Sequence, residues 1–248
     1  SAFIQAGGAA TLAHSNTINM ATFTVTIDEA LDLGTNAMGA VTGTTGTLIM
    51  QSTDSSANTA KLTSFVTSGA GNLSILGETG GSATFAVTSA GNVTTVGGTI
   101  TVTGDTNTAV ATSLIILGTT VGGTGAEFVL DETASNGTAV LDLDAASAEQ
   151  TLTGNINGAA AGEGLLKLQA GGDGNVITGA VGNDFKLRLV DIDKASTFSS
   201  TVDAVAIDAD ETATFAGDVT VTTMTSNVSG KTVTLNGNIT ATTITIDT

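Results

Sequence analysis

The chain has 248 residues, with 6 Lys and Arg against 23 Asp and Glu, and a net charge of −17 at pH 7. Such an acidic surface repels phosphate, so the composition argues against nucleic acid or an anionic membrane as a partner. Cys is absent and His14 is the single histidine. Thiol chemistry is therefore excluded, and neither a hydrolytic triad nor a His-rich zinc site is expected.

The composition favours β-structure. The apolar residues are mainly Val, Ile, Leu and Ala, and they are mixed with Thr, Ser and 32 Gly, while Pro, Trp and Tyr are absent. Branched side chains suit a pleated surface, and glycine serves turns. No apolar run approaches the roughly eighteen residues that a membrane helix requires, so insertion into a bilayer is not expected.

The N-terminal segment 1–57 lacks the repeat that marks the rest of the chain. Within it, ATFTVTID at 21–28 alternates in the way that a half-buried strand does. Non-repeating ends of repeat proteins commonly cap the stack, and an end segment can also donate a strand to a neighbouring subunit. We therefore predict an N-terminal cap or strand-donating segment at 1–57 and a Thr- and Gly-rich β-repeat domain at 58–248.

A spacing of twenty recurs along this second region. FVTSGAGNLSILG at 65–77 resembles FAVTSAGNVTTVG at 85–97, and the Gly-Asn pair at 154–155 recurs at 174–175. A fixed period of about twenty to fifty residues indicates repeat architecture. These similarities predict equivalent positions in successive repeats, with Gly-Asn turns between the strands.

Two further segments predict strands in the middle of the chain. SLIILG at 113–118 is an unbroken apolar run, which is typical of a strand buried on both faces. FKLRL at 185–189, about one period after LLKLQ at 165–169, alternates apolar and basic residues. Its alternation predicts that Phe185 and Leu189 lie on one face of a strand, together with the leucine between them.

The clearest repeat lies near the end of the sequence. ETATFAGDVTVTTMT at 211–225 and KTVTLNGNITATTIT at 231–245 align without a gap at an offset of twenty. Seven Thr and Gly positions are identical, and the aligned apolar residues, such as Phe215 and Leu235, keep their character. We predict that each aligned pair lies side by side on successive repeats.

A repeat of this length is too short for a β-α-β crossover and shows no helical periodicity, so an all-β protein is predicted. Equal repeat lengths favour a β-solenoid-like stack of ~20-residue repeats, in which each repeat is one coil and equivalent residues stack at the strand spacing. A β-sandwich or an intertwined β-fibre, built from hairpins, is the alternative.

Three pairs of aspartates occur at i, i+2 within apolar alternation, which places both carboxylates of a pair on the outer face of one strand. The pairs are Asp142 with Asp144, Asp191 with Asp193, and Asp208 with Asp210. Asp191 and Asp210 are close to one period apart, so they could stack on adjacent coils. Ca²⁺ prefers hard oxygen ligands, so these six aspartates are the candidate metal ligands; the alternative is a solvated acidic face. No catalytic residue and no required cofactor are predicted.

The segments ATFAVTSAGNVTTVGGTITVTGD at 83–105 and ATFAGDVTVTT at 213–223 resemble the repeats of secreted filamentous-haemagglutinin-type adhesins and of phage tail-fibre shafts. The resemblance is one of composition and covers about half of the chain. It implies an extracellular or virion-surface structural protein in β-solenoid or β-fibre form.

We expect a secreted structural subunit of an extracellular filament, fibre or surface layer, and not an enzyme. TATTITIDT at 240–248 contains no Pro or Lys that would block a sheet edge, and native edges are normally guarded. Identical subunits are therefore expected to polymerise head to tail through strand edges or strand donation.

Two alternatives stay open. One is a trimeric phage tail-fibre or adhesin shaft that binds a host surface. A more remote one is a polysaccharide-cleaving β-solenoid enzyme, which the absence of Trp and Tyr and the scattered cations disfavour.

Overall fold

The structure is a computed structural model that describes residues 2–5, 18–28, 40–52, 58–77, 83–87, 92–105, 111–132, 137–146, 148–169, 174–227 and 229–246. These residues form strands, turns and connecting segments, without a helix. Every strand pairing among them is parallel. The β-solenoid prediction is confirmed, since hairpin-based alternatives require antiparallel pairs.

The described strands form two sheets. The first contains β1 (Ala2–Gln5), β2 (Ile18–Ala21), β3 (Thr24–Asp28), β4 (Val41–Gly43), β5 (Thr47–Ser52), β7 (Phe65–Thr67), β8 (Asn72–Gly77), β10 (Val93–Thr94), β11 (Thr99–Thr103), β13 (Thr120–Asp131), β15 (Gln150–Gly158), β17 (Asn175–Ile177), β19 (Ser196–Phe198), β21 (Ala213–Phe215) and β23 (Val233–Leu235). The second contains β6 (Asn58–Leu62), β9 (Ala83–Val87), β12 (Ala111–Ile116), β14 (Thr138–Leu143), β16 (Glu163–Leu168), β18 (Leu187–Ile192), β20 (Val202–Ala209), β22 (Val219–Ser226) and β24 (Ile239–Ile246).

From β6 onward, the chain winds as a coil: each coil contributes one or two strands to the first sheet and one strand to the second, and these strands pair with the equivalent strands of the next coil. In the last two coils the predicted offset of twenty is confirmed, since Phe215 pairs with Leu235 and Val219 pairs with Ile239. Each coil thereby sets its apolar side chains directly beside those of its neighbour.

The coil length varies elsewhere, and three predicted alignments are wrong. Phe65 pairs with Val93, well beyond an offset of twenty, whereas Phe85 lies in the other sheet. The Gly-Asn pairs at 154–155 and 174–175 do not align, because the partner of Asn175 is Gln150. LLKLQ and FKLRL are twenty residues apart in the sequence but do not align, because Leu165 pairs with Leu189 at an offset of 24.

The core is a set of apolar columns that run from coil to coil. One column runs from Val41 through Phe65, Val93, Val121, Leu152, Ile177, Phe198, Phe215 and Leu235. A column of the second sheet contains Phe85, Leu114, Leu141, Leu166, Val190, Ile207, Met224 and Ile244. These side chains are buried except in the last coil. Within the first column, the rings of Phe198 and Phe215 stack with centroids 4.8 Å apart.

Two burial predictions need correction. In β12, Leu114 and Ile116 are buried but Ile115 is only partly so, and the strand therefore has one core face rather than two. Phe185 precedes β18 and is exposed, while Leu187 and Val190 are buried with two half-buried residues between them. The alternation shifts by one residue there because the chain turns a corner of the coil, and the same shift recurs in β20 and β22.

The parallel stack continues across the predicted boundary at residue 57. β3, which contains most of the segment 21–28, pairs with β1 on one side and with β5 on the other. β5 in turn pairs with β8. The proposed donor strand is thus a part of its own stack.

Gly122 lies at a change of register within β13, where the pairing with β15 shifts between Gly122 and Glu127. Its φ of +80° belongs to the left-handed region that favours glycine. A Cβ atom at this position would overlap the carbonyl oxygen of Thr153 on the next coil. Two coils can approach here only because the side chain is absent.

Candidate functional site

The six candidate aspartates come together on the outer face of the second sheet. Asp142 is the Cα partner of Lys167, Lys167 of Asp191, and Asp191 of Asp208. The second aspartate of each pair follows its strand, and the N–H groups of Asp193 and Asp210 donate to main-chain carbonyls of the preceding coil. We call this array the acidic ladder; it consists of Asp142, Asp144, Asp191, Asp193, Asp208 and Asp210, with Lys167 and Gln169 on the rung between the first pair and the others.

One detail of the predicted stacking is wrong. Asp191 pairs with Asp208 and not with Asp210, because the coil that joins them is shorter than the predicted repeat. Because of this short coil, the two Asp-x-Asp pairs have the same register, and like-charged carboxylates lie side by side on β18 and β20. Like charges directly opposite on adjacent strands destabilise a sheet.

One cation and two amide side chains of the described structure contact the acidic ladder. Lys167 Nζ lies 3.8 Å from Asp193 Oδ2, and Gln169 Nε2 donates to the same oxygen at 2.9 Å. Asn227 Nδ2 donates to Asp208 Oδ1 at 3.1 Å. None of these three residues was predicted from the sequence, although LLKLQ places Lys167 and Gln169 at the same i, i+2 spacing as the aspartates.

Two carboxylate oxygens of the acidic ladder are buried without a hydrogen-bond partner among the described residues, namely Asp142 Oδ1 and Asp210 Oδ1. Asp142 is only 9% exposed, although it lies on the outer face of its strand. A buried, unpaired carboxylate oxygen is costly in its charged form. At these two oxygens the acidic ladder is shielded from water, whereas the side chains other than Asp142 are only partly buried.

The pKa values of three aspartates of the ladder are raised, and burial is the largest cause in each case. Burial raises the pKa of Asp142 from 3.8 to about 6, the nearby charge of Asp144 adds to the effect, and Lys167 opposes it. Burial and the charge of Asp193 raise the pKa of Asp191, and burial and the charge of Asp210 raise the pKa of Asp208. Each shift stabilises the protonated form in the folded state.

We expect the stability of the protein to fall as the pH rises through the range in which Asp142 ionises. The folded state binds this proton more tightly than the unfolded chain, so the free energy of unfolding decreases between about pH 4 and about pH 6 and stays lower above that range. Asp142→Asn should raise the free energy of unfolding by about 1 to 3 kcal/mol at neutral pH and leave it nearly unchanged below about pH 4. Urea denaturation at the two pH values measures the difference.

Asp184→Asn is the matched control for this change, because Asp184 is exposed and lies outside the ladder. It should change the stability little, and equally, at both pH values. An Asp142→Asn effect of the same size at acidic and neutral pH would contradict the proposed titration.

The described residues contain no cluster in which three acidic or imidazole groups are placed to hold one metal ion. The ladder spreads its carboxylates along the stack at the strand spacing of about 4.8 Å instead of converging them on a point. A cation could therefore bridge carboxylates of neighbouring coils, with water completing its shell.

A shallow groove of about 230 Å³ lies on the first sheet, lined by Gly125, Ala126, Glu127, Gly154, Asn155 and Asp184. Its two carboxylates have local partners: Glu127 Oε1 accepts a hydrogen bond from Asn157 Nδ2 at 3.2 Å, and Asp184 Oδ1 accepts one from Asn183 Nδ2 at 3.4 Å. Asn155 Oδ1 accepts the N–H of Ala180. The contacts of Glu127 and Asn155 link successive coils at this corner.

The last described coil, formed by β23 and β24 and called here the terminal coil, leaves apolar residues uncovered. Ile244 is 46% and Ile246 is 66% exposed, whereas their partners one coil earlier, Met224 and Ser226, are buried. Among the described strands, β23 and β24 each pair on one side only. Among the described residues, the terminal coil therefore combines a sheet edge that is paired on one side with partly exposed apolar side chains.

These features define a parallel β-solenoid with an acidic face and, in its last described coil, two exposed isoleucines. No helix within the described ranges is long and apolar enough to cross a membrane. His14 lies outside the described residues. Comparison of the chain with protein-family models, curated proteins and solved structures gave no match.

Proposed function

We propose that this protein is the structural subunit of an extracellular filament, fibre or surface layer, and that identical subunits polymerise head to tail through the strand edges of their coils. The observation that carries the proposal is the terminal coil, whose Ile244 and Ile246 are exposed. Burying such side chains contributes about 25 cal/mol for each Å² of apolar surface. The unpaired main-chain groups of the same edge form hydrogen bonds with any strand that covers it.

Stacking of coil on coil is preferred here to donation of the segment 21–28. β3 is paired on both sides within its own stack, so donation requires those ladders to break first. At the opposite end of the stack, β1 and β2 each pair on one side only among the described strands. The two ends are different surfaces, and contacts between unlike ends of identical subunits generate open filaments.

Charge favours growth along the axis over lateral packing. The net charge of −17 opposes the approach of two subunits side by side. The terminal coil is rich in Thr and aliphatic residues, and its only described charged side chain is Lys231, which pairs with Glu211 at 2.7 Å. The described residues of the terminal coil thus carry no negative charge, in contrast to the acidic ladder on the side of the stack.

The test replaces both exposed isoleucines, as Ile244→Lys with Ile246→Lys, since lysine on an edge is a natural block to pairing. The unchanged chain should form polymers whose length grows with concentration, and the double variant should remain monomeric. Light scattering and negative-stain microscopy measure the assemblies, and circular dichroism confirms that the fold is retained.

Val96→Lys is the matched control, because Val96 is 52% exposed but belongs to a turn in the middle of the stack. This variant should polymerise like the unchanged chain. A compact trimer that the double substitution leaves intact would favour the alternative of a tail-fibre or adhesin shaft. A monomer at every concentration would overturn the proposal.

A further inference from the structure

A single column of residues runs along one corner of the stack, from the first sheet in the early coils to the start of the second sheet in the last ones. Each member is paired with the member one coil further, or the residues that follow the two members are paired. We call this set the corner column. Its members, in chain order, are Thr24, Thr47, Asn72, Thr99, Glu127, Asn155, Ala180, Thr201, Asp218 and Asn238.

Three Asn or Asp residues of the corner column make the same contact with the coil that follows. Asn72 Oδ1 accepts the N–H of Thr99 at 2.9 Å, and Asn155 Oδ1 accepts the N–H of Ala180 at 3.0 Å. Asp218 Oδ1 accepts the N–H of the next member of the column at 2.8 Å. A side-chain oxygen at this corner therefore holds a main-chain donor of the following coil, always toward the C-terminal end of the stack.

Asn238 is the member of the corner column that belongs to the terminal coil. Its Nδ2 donates to Asp218 Oδ1 at 3.2 Å, as it must, because a carboxylate only accepts hydrogen bonds. The amide nitrogen thus faces the preceding coil, and Oδ1 of the same amide is turned away from it. Asn238 is exposed, and no N–H or O–H group of the described residues donates to its Oδ1.

We propose that Asn238 Oδ1 accepts a main-chain N–H of a second copy of this chain, and that this contact helps to fix the register in which subunits stack. The three internal contacts are the argument for this occupant, because each of them is made by a coil of the same protein. Register matters because a shift of one residue moves every side chain of a strand to its other face. This inference rests on the proposed polymerisation.

The test is Asn238→Ala, which removes the acceptor from the terminal coil. The protein concentration at which half of the chains are polymerised should rise about two- to tenfold, the change that corresponds to the loss of one hydrogen bond of ordinary strength. Sedimentation at a series of protein concentrations measures this midpoint. Circular dichroism of the dilute variant verifies that the fold is retained.

Two control variants replace asparagines at other positions. Asn236→Ala changes an exposed residue of the same coil that lies outside the corner column, and it should leave the midpoint of polymerisation unchanged. Asn72→Ala removes an acceptor that Thr99 already occupies within the chain. It should lower the melting temperature by about 2 to 4 °C and leave the midpoint unchanged.

The outcomes separate this inference from the function on which it rests. A raised midpoint in Asn238→Ala alone supports the contact. If the unchanged chain polymerises and Asn238→Ala does so with the same midpoint, the contact is refuted while the proposed polymerisation stands. If the unchanged chain stays monomeric at every concentration, both are overturned.

Discussion

Phe215→Ala should lower the free energy of unfolding by about 3 to 5 kcal/mol, the range found when large aromatic side chains are removed from a core. Phe215 has no exposed surface, and its ring stacks on that of Phe198 with an interplanar angle of 6°. Leu235 of the next coil covers its other side. Neighbouring coils cannot close the cavity without breaking the register of the column, so the loss should be near the upper end of the range.

Phe185→Ala provides the control for this substitution, because Phe185 is about half exposed and precedes β18. It should change the free energy of unfolding by less than about 1 kcal/mol. Urea denaturation followed by circular dichroism measures both variants. Equal losses for the two phenylalanines would mean that the column at Phe215 is not the core of the folded protein.

Gly122→Ala should lower the free energy of unfolding by about 2 to 6 kcal/mol, which makes it, with Phe215→Ala, one of the two most damaging changes that we expect. A backbone in the left-handed region costs a non-glycine residue about 1 to 3 kcal/mol, and overpacking adds a similar amount. The overpacking arises because the new methyl group overlaps the carbonyl oxygen of Thr153 and lies close to the ring of Phe128.

Gly230→Ala separates these two causes. Gly230 has the same φ of +80°, but a Cβ atom at this exposed position would have nothing within 4 Å. It should therefore show the backbone cost alone, about 1 to 3 kcal/mol. If the two alanine variants have equal melting temperatures, the close contact between coils at Gly122 carries no energetic weight.

The sequence predicted the class of the fold because alternation and repeat length are local properties. It predicted the pairing of Phe215 with Leu235 because two successive coils there have equal length. It misaligned 65–77 with 85–97 because different faces of one coil use the same mixture of Thr, Gly and aliphatic residues. Two similar segments twenty residues apart can therefore lie on equivalent strands of successive coils or on different strands of one coil, and the sequence similarity does not distinguish these cases.

The same ambiguity of alignment affects the prediction of the acidic ladder. The i, i+2 spacing was enough to place each pair of aspartates on an outer face. Which pair stacks on which depends on the length of the corner turns, and a short coil sets Asp191 beside Asp208. The two preceding coils are longer, and their length places Lys167 between Asp142 and Asp191. The residues of these turns are visible in the sequence, but the position at which each coil begins and ends, and hence the strand register, is not.

The uniformly parallel pairing of the coils has a mechanical consequence. The main-chain hydrogen bonds between coils point along the axis of the stack, so a tensile force on its two ends opens them one rung at a time and not all together in shear. Each released coil of about twenty residues lengthens the molecule by roughly 70 Å at an extension of about 3.5 Å per residue. A stack of this kind yields in steps under load, and each step dissipates energy before any covalent bond is strained.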